Sequence, residues 1–251
     1  MAHRLVAQAP WHRNPIAERT VNGMEALIEL ARLIELLNNP AAVMPTNPRE
    51  AVLHYFGLPP LDAMERMDDE ERKVIRERVN EVRHRLSIHL DFERKSKQFA
   101  VTIRDHGIGQ VPARMHETLL SLGHSDKADK PYLIGVFGQG GASAFSVSEY
   151  SIIVSRRAPE MLNPGEDGGA GWSIVRTIHP KGRRDLYYAY LAASEDGTVP
   201  RVDAEVADKR RTARSGLSLP LRNISRVAAS CHRIARRPRI SEILSNRGLP
   251  P

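Results

Sequence analysis

The chain has a single cysteine, Cys231, so no internal disulfide can staple it, and the arginine-rich polar context of that thiol marks it as incidental. Aromatic residues make up only 5% of the sequence, so a core is expected to rest on Leu, Ile, Val and Ala. No run of ~18 apolar residues occurs, and no transmembrane helix is expected. The N-terminal Met-Ala-His-Arg-Leu-Val-Ala-Gln-Ala-Pro has too short an apolar stretch for a signal peptide, which leaves a cytoplasmic protein with no membrane contact as the expectation. The histidines lack metal-ligand spacing: His84 and His89 share an expected helix without forming HExxH. Ser143, Ser146 and Ser148 have no glycine elbow around a nucleophile. The Asn163–Gly171 stretch has the wrong spacing for a calcium loop. No internal repeat is visible.

What is present suits one sizeable core: 251 residues, of which 41% are hydrophobic and 27% charged. Apolar residues at Val21, Met24, Leu27, Ile28, Ala31, Ile34 and Leu36 predict a helix over 15–37, stopped by Asn38-Asn39-Pro40. Five prolines make 40–60 loop-like, and a charged helix is expected over 61–89, with Asp68–Glu71 and the following basic residues forming surface pairs. Ile88–Phe92 and Phe99–Arg104 predict a hairpin. Tyr150–Arg156, Gly171–His179 and Leu186–Leu191 predict further strands. Helices on one face of a mixed or antiparallel sheet make an α+β two-layer sandwich.

Three stretches carry chemistry. Asp105-His-Gly-Ile-Gly109 follows the alternating run Phe99–Arg104, so a strand ends in a carboxylate and then turns through residues able to take positive φ. Such a carboxylate accepts from an exocyclic amine, and the glycines let a flat ring approach the backbone; an ordinary Asp-Gly turn reads the same way. Gly135-Val-Phe-Gly-Gln-Gly-Gly-Ala-Ser143 offers consecutive backbone N–H groups to polyphosphate, or serves as a hinge or lid. It is neither a Walker A loop nor a dinucleotide fingerprint. Glu18, Asn22 and Glu25 are spaced i, i+4, i+7 and share a helix face. A carboxylate base one turn from an amide oxygen suits a water and a magnesium ion beside phosphate, or a solvated polar face.

The order of the three stretches resembles the Bergerat-fold, or GHKL, ATPases: type II topoisomerases, ninety-kilodalton heat-shock chaperones, mismatch-repair ATPases and histidine kinases. Their N box is similar to Glu18-x-x-x-Asn22-x-x-Glu25-Ala26, with Asp the commoner residue where Glu25 stands. Their adenine box is similar to Asp105-x-Gly107-x-Gly109, and their lid and phosphate loop to Ser121–Lys127 running into Gly135-x-x-Gly138-x-Gly140-Gly141. The resemblance covers about residues 14–157.

The resemblance implies ATP and magnesium as ligands. Glu18 would orient and deprotonate water, Asn22 would ligate the metal, and Asp105 would take the adenine amino group with Gly107 and Gly109 near the ring. Glu25 completes the N box. Gly135, Gly138, Gln139, Gly140 and Gly141 would line the phosphates, and either Lys127 or Lys130 would neutralise their charge. Glu18 favours hydrolysis over histidine phosphorylation, and only seventeen residues precede it, too few for a phospho-acceptor hairpin. The implied activity is a lid-closing ATPase switch; the alternative is an ATP-sensing interaction module without turnover.

The chain departs from the family in two places. Asn22 and Asp105 are separated by 82 residues, so a proline-rich and helical insertion is expected at about 38–87, as a partner surface. No transducer domain fits after Leu191, and no clear Gly-Thr strand completes the adenine pocket; Thr177 and Ser218 are the weak candidates. An ATP-binding domain over 1–208 is therefore expected, with a protein partner engaged by the insertion or by dimerisation. From 209 to 251 the chain carries ten Arg and one Lys against the single acid Glu242, so the whole excess of positive charge is local. This segment reads as a poorly ordered basic tail, as a non-specific nucleic-acid arm that works through phosphates alone, or as a continuation replaced by a frame change over 212–251.

Overall fold

The computed structural model describes residues 2–6, 15–93, 98–121, 130–134, 145, 148–178, 187–206 and 223–230, with the backbone alone at 2–6, 93, 98 and 223–230. Helix α1 runs from Pro15 to Asn38. Proline at the first helical position has no N–H to leave unsatisfied, and Glu18 in the first turn meets the positive end of the helix dipole. One side of α1 is buried along Arg19, Gly23, Leu27, Ile28 and Leu30. Ile28 is fully enclosed, a burial that stabilises by about 2 kcal/mol.

The proline-rich stretch expected as loop contains helix α2, Pro48–Phe56. Asn47 caps it, its side chain accepting from the Glu50 N–H, and Gly57 closes it in the left-handed region at φ 64°. Prolines bracket this helix rather than break it. The single helix expected over 61–89 is likewise divided, into α3, Leu61–Glu65, and α4, Asp69–Val82. Asp68 and Glu71 form a reciprocal capping box that restarts the helix, and a 3₁₀ turn at Arg83–Arg85 hands the chain to a strand. His84 lies in that turn and His89 in the strand, so they share no helix.

The strands are β1, Ala2–Val6; β2, Leu86–Glu93; β3, Gln98–Asp105; β4, Tyr150–Arg156; β5, Ala170–Ile178; β6, Tyr187–Leu191; β7, Arg201–Val202; and β8, Asn223–Ser230. They form one antiparallel sheet in the order β1-β6-β5-β4-β8-β3-β2, with β7 on β5. Helices and an antiparallel sheet make this an α+β fold. The expected hairpin is present, pairing Ile88 with Ile103 and Leu90 with Val101. Residues 223–230, inside the segment expected as a basic tail, pair their backbone with both β3 and β4 in the interior of the sheet. The rest of the tail lies outside the described residues.

The core is divided into clusters. One joins Met115 and Leu120 to Phe145, Ile153, Val175, Tyr188 and Tyr190 over β4–β6. Another packs Leu27 and Ile28 of α1 on Ala51 and Phe56 of α2 with Tyr132 and Leu133. A third holds Leu30, Ile108 and Ala158 together. Leu, Ile, Val and Ala make up most of the buried hydrophobic residues, as expected, and Phe56, Tyr132, Phe145, Tyr187, Tyr188 and Tyr190 are buried among them. No helix among the described residues is long and apolar enough to cross a membrane.

Candidate functional site

Helix α1 organises the site. Glu18 and Asn22 are half-buried, while Glu25 is almost wholly enclosed at 2% exposure. The tip of β3 comes to this helix. The Asp105 Oδ2 lies 3.6 Å from where a Cβ on Gly23 would stand, so the carboxylate meets α1 at the residue after Asn22. Its Oδ1 accepts the Gly107 N–H at 3.0 Å, which bends the chain back on itself directly after the strand.

The loop after Asp105 is then fixed to the same helix. Ile108 donates its N–H to the Ala26 carbonyl at 2.9 Å. A Cβ on Gly107 would sit 2.5 Å from the Ala26 carbonyl carbon, so only glycine permits this approach. Gly109 has φ 61°, the left-handed conformation its place in the motif demands. Beyond it, the Ile108 carbonyl accepts from Ala158 at 2.9 Å, and the Gln110 N–H donates to the Ser155 Oγ at 2.9 Å. The loop is therefore clamped between α1 and the end of β4.

The glycine-rich stretch is approached from both flanks. On its N-terminal side the Ile134 N–H donates to the Glu25 Oε1 at 2.5 Å, and Lys130 forms an ion pair with Glu29 one turn further along α1. Tyr132 and Leu133 between them are buried against Leu27 and Ile28. On its C-terminal side, Phe145 packs on Tyr188 with ring centroids 5.6 Å apart, and its carbonyl accepts from the Thr177 Oγ1 at 2.7 Å. The Arg19 guanidinium lies 5.2 Å from the centroid of the same ring. Glu25 and Arg19 are six residues apart on α1, roughly 9 Å along its axis, so Ile134 and Phe145 both meet one short length of helix.

Of the residues singled out in the sequence, Glu18, Asn22 and Glu25 lie on α1, Asp105 and Gly107 lie against it, and the Gly109 carbonyl accepts from Arg157. Lys127, Gly135, Gly138, Gln139, Gly140, Gly141 and Ser218 lie outside the described residues. Lys130 is directed to Glu29. Thr177 is directed to the Phe145 carbonyl. Sequence reasoning missed Arg19, whose burial no periodicity could signal because arginine is by default a surface residue. Burial lowers Arg19 to about 10, which still leaves it charged at neutral pH.

No family profile matches the chain. Part of it is 31% identical, over 125 residues, to the chaperone protein HtpG of Nitrosococcus oceani, covering 44% of this chain and 19% of that protein. HtpG of Coxiella burnetii is 30% identical over the same length and shares, and HtpG of Nitrosospira multiformis 28%. The chain thus spans about a fifth of the length of these relatives. These partial likenesses support a GHKL-like ATPase superfamily and nothing finer.

Proposed function

We propose that the chain is a magnesium-dependent ATP-binding and ATP-hydrolysing module in which a lid closes over the nucleotide. The observation that carries this reading is the seat of the Asp105 carboxylate against α1 at Gly23, with Gly107 pressed on Ala26. A carboxylate has lone pairs enough to hold the Gly107 N–H and still accept an adenine amino group.

The division of labour follows from the helix. Glu18, at its first turn, orients an attacking water and takes its proton; Asn22, one turn on, presents a hard amide oxygen. Magnesium, when bound, supplies positive charge against the phosphate oxygens. Among the described residues no group of three or more His, Cys, Asp or Glu could hold a metal alone. The cation would be held chiefly by phosphate and water, with Asn22 as its one protein oxygen. Hydrolysis of this kind depends on positioning and charge compensation more than on covalent chemistry. Glu25 and Glu29 hold the segment entering the glycine-rich stretch, so closure would pivot about Ile134 on one side and Phe145 on the other. Likeness to part of HtpG favours a chaperone-like action on a protein partner, and a cytoplasmic setting, over other uses of the switch.

Calorimetry with ATP and magnesium tests the binding, and phosphate release tests the turnover. Asp105→Ala should weaken ATP by a few kcal/mol, the scale for a lost polar contact in a buried site, and Asp105→Asn by less. Glu18→Ala should keep binding and lose turnover. A wild-type chain that binds no ATP sinks the proposal. One that binds but never releases phosphate leaves the ATP-sensing reading in its place.

A further inference from the structure

Two buried arginines of α1 are unused by the division of labour above: Arg32, which bonds Glu35 and the Ala42 carbonyl, and Arg19. The Arg19 side chain is more than nine-tenths enclosed, with 8% of the residue exposed. The Nε and Nη2 atoms are buried and have no hydrogen-bond partner among the described residues. These two nitrogens share one edge of the guanidinium plane, the edge that grips an oxyanion through two parallel N–H bonds. Phe145 covers a face of the group, which attracts the cation and steadies its plane but gives that edge no acceptor.

An enclosed guanidinium with an open bidentate edge is unfavourable unless something satisfies it. The neighbourhood is apolar: Phe145 belongs to the cluster of Met115, Leu120, Val175 and Tyr188. A leucine or methionine would serve packing better at this position. Glu18 is adjacent in sequence, but successive helical residues point about 100° apart, and Glu18 has a partner of its own.

The position on α1 says which anion. Asp105 marks the base end of the site at Gly23, and Arg19 stands one turn closer to the N-terminus of the helix, next to Glu18. It also touches Phe145, which follows directly on the glycine-rich stretch. A nucleotide whose base is at Asp105 and whose phosphates run toward Glu18 brings its terminal phosphates to this edge. We propose that Arg19 is a phosphate-binding residue, holding the terminal phosphates of the nucleotide by a bidentate contact through its Nε and Nη2 edge. The inference rests on the ATP reading above.

The test is binding of adenosine, ADP and ATP, with magnesium, to the full chain and to Arg19→Met and Arg19→Lys, beside thermal melts without nucleotide. Arg19→Met should weaken ATP roughly 10- to 100-fold and leave adenosine unchanged. Arg19→Lys, which keeps the charge but not the fork, should fall between. Without nucleotide, Arg19→Met should melt no lower than wild type, because a buried unpaired charge has been removed; a purely structural arginine would show the reverse. Equal losses for adenosine and ATP, or no loss, overturn the assignment while the ATP reading stands. A wild type that binds none of the three overturns both. Should Arg19→Met fail to fold, the ATP-to-adenosine ratio in Arg19→Lys decides.

Discussion

At the scale of single residues, the most constrained contact is that of Gly107 with Ala26. A methyl group at 107 would lie 2.5 Å from both the Ala26 carbonyl carbon and its Cβ, and no rotamer can relieve a clash with backbone. The loop must lift off α1, which breaks the bond from the Ile108 N–H to the Ala26 carbonyl. Gly107→Ala should therefore destabilise the protein by about 1–3 kcal/mol, seen as a lower thermal midpoint, and weaken nucleotide binding beyond what that loss explains. An unchanged midpoint would mean that the loop is not held as described. This contact was legible in part: Asp-x-Gly-x-Gly after a strand specifies a carboxylate and a close backbone approach, though not which helix is approached. Arg19 and the enclosure of Glu25 were not legible. Burial of a charged residue depends on what packs over it, and Phe145 and Ile134 are more than a hundred positions away.

Among the elements, the strands were the most legible, because alternation at Phe99–Arg104 and Tyr150–Arg156 is a local signal. Helix α2 was not, because five prolines over 40–60 signal a loop unless their positions are known; Pro48 sits where a helix tolerates it best, after a capping Asn47. What docks α2 on α1 is a polar contact as well as the apolar cluster. Glu35 of α1 receives the His54 Nε2 at 2.7 Å, the Tyr55 hydroxyl at 3.0 Å and the Arg32 Nη1 at 2.8 Å. The hydrogen bond from His54, then those from Arg32 and Tyr55, hold the Glu35 carboxyl below its ordinary value of 4.5. Burial, with Glu35 beside it, pushes the Tyr55 hydroxyl up to about 12. For an acid whose folded value is lowered, the stabilisation is present above the unfolded value and is lost as pH falls through the folded one. Glu35→Gln should thus cost about 1 kcal/mol at neutral pH and flatten the fall in thermal midpoint below pH 4.5. Midpoints measured between pH 3 and 7 check this; parallel curves for the two proteins would remove Glu35 from the account.

On the scale of the whole molecule, the unexpected feature is β8. Asn223–Ser230 lies amid arginines and has no strong alternation, so nothing local marks it as a strand. Its strand character comes from partners, not from local pattern: Asp105 pairs with Asn223, Val101 and Ser151 both with Val227. Those partners lie more than seventy positions away, beyond the reach of any window reading. Without β8, the sheet is cut into β1-β6-β5-β4 and β3-β2, and the facing edges of β3 and β4 lose their backbone hydrogen bonds together. The strand that carries Asp105 would then be held, among the described elements, chiefly by β2 and α1. Removal of residues 209–251 should abolish the cooperative unfolding transition. Removal of 232–251, which spares β8 but takes Arg233, Arg236, Arg237, Arg239 and Arg247, should leave it close to wild type. The comparison also separates fold from charge. If nucleic-acid binding is present and falls with salt, the shorter truncation should reduce it without unfolding the chain, whereas loss seen only with the longer one reports a broken sheet. A cooperative melt that survives the longer truncation would show that β3 and β4 do not need the strand between them.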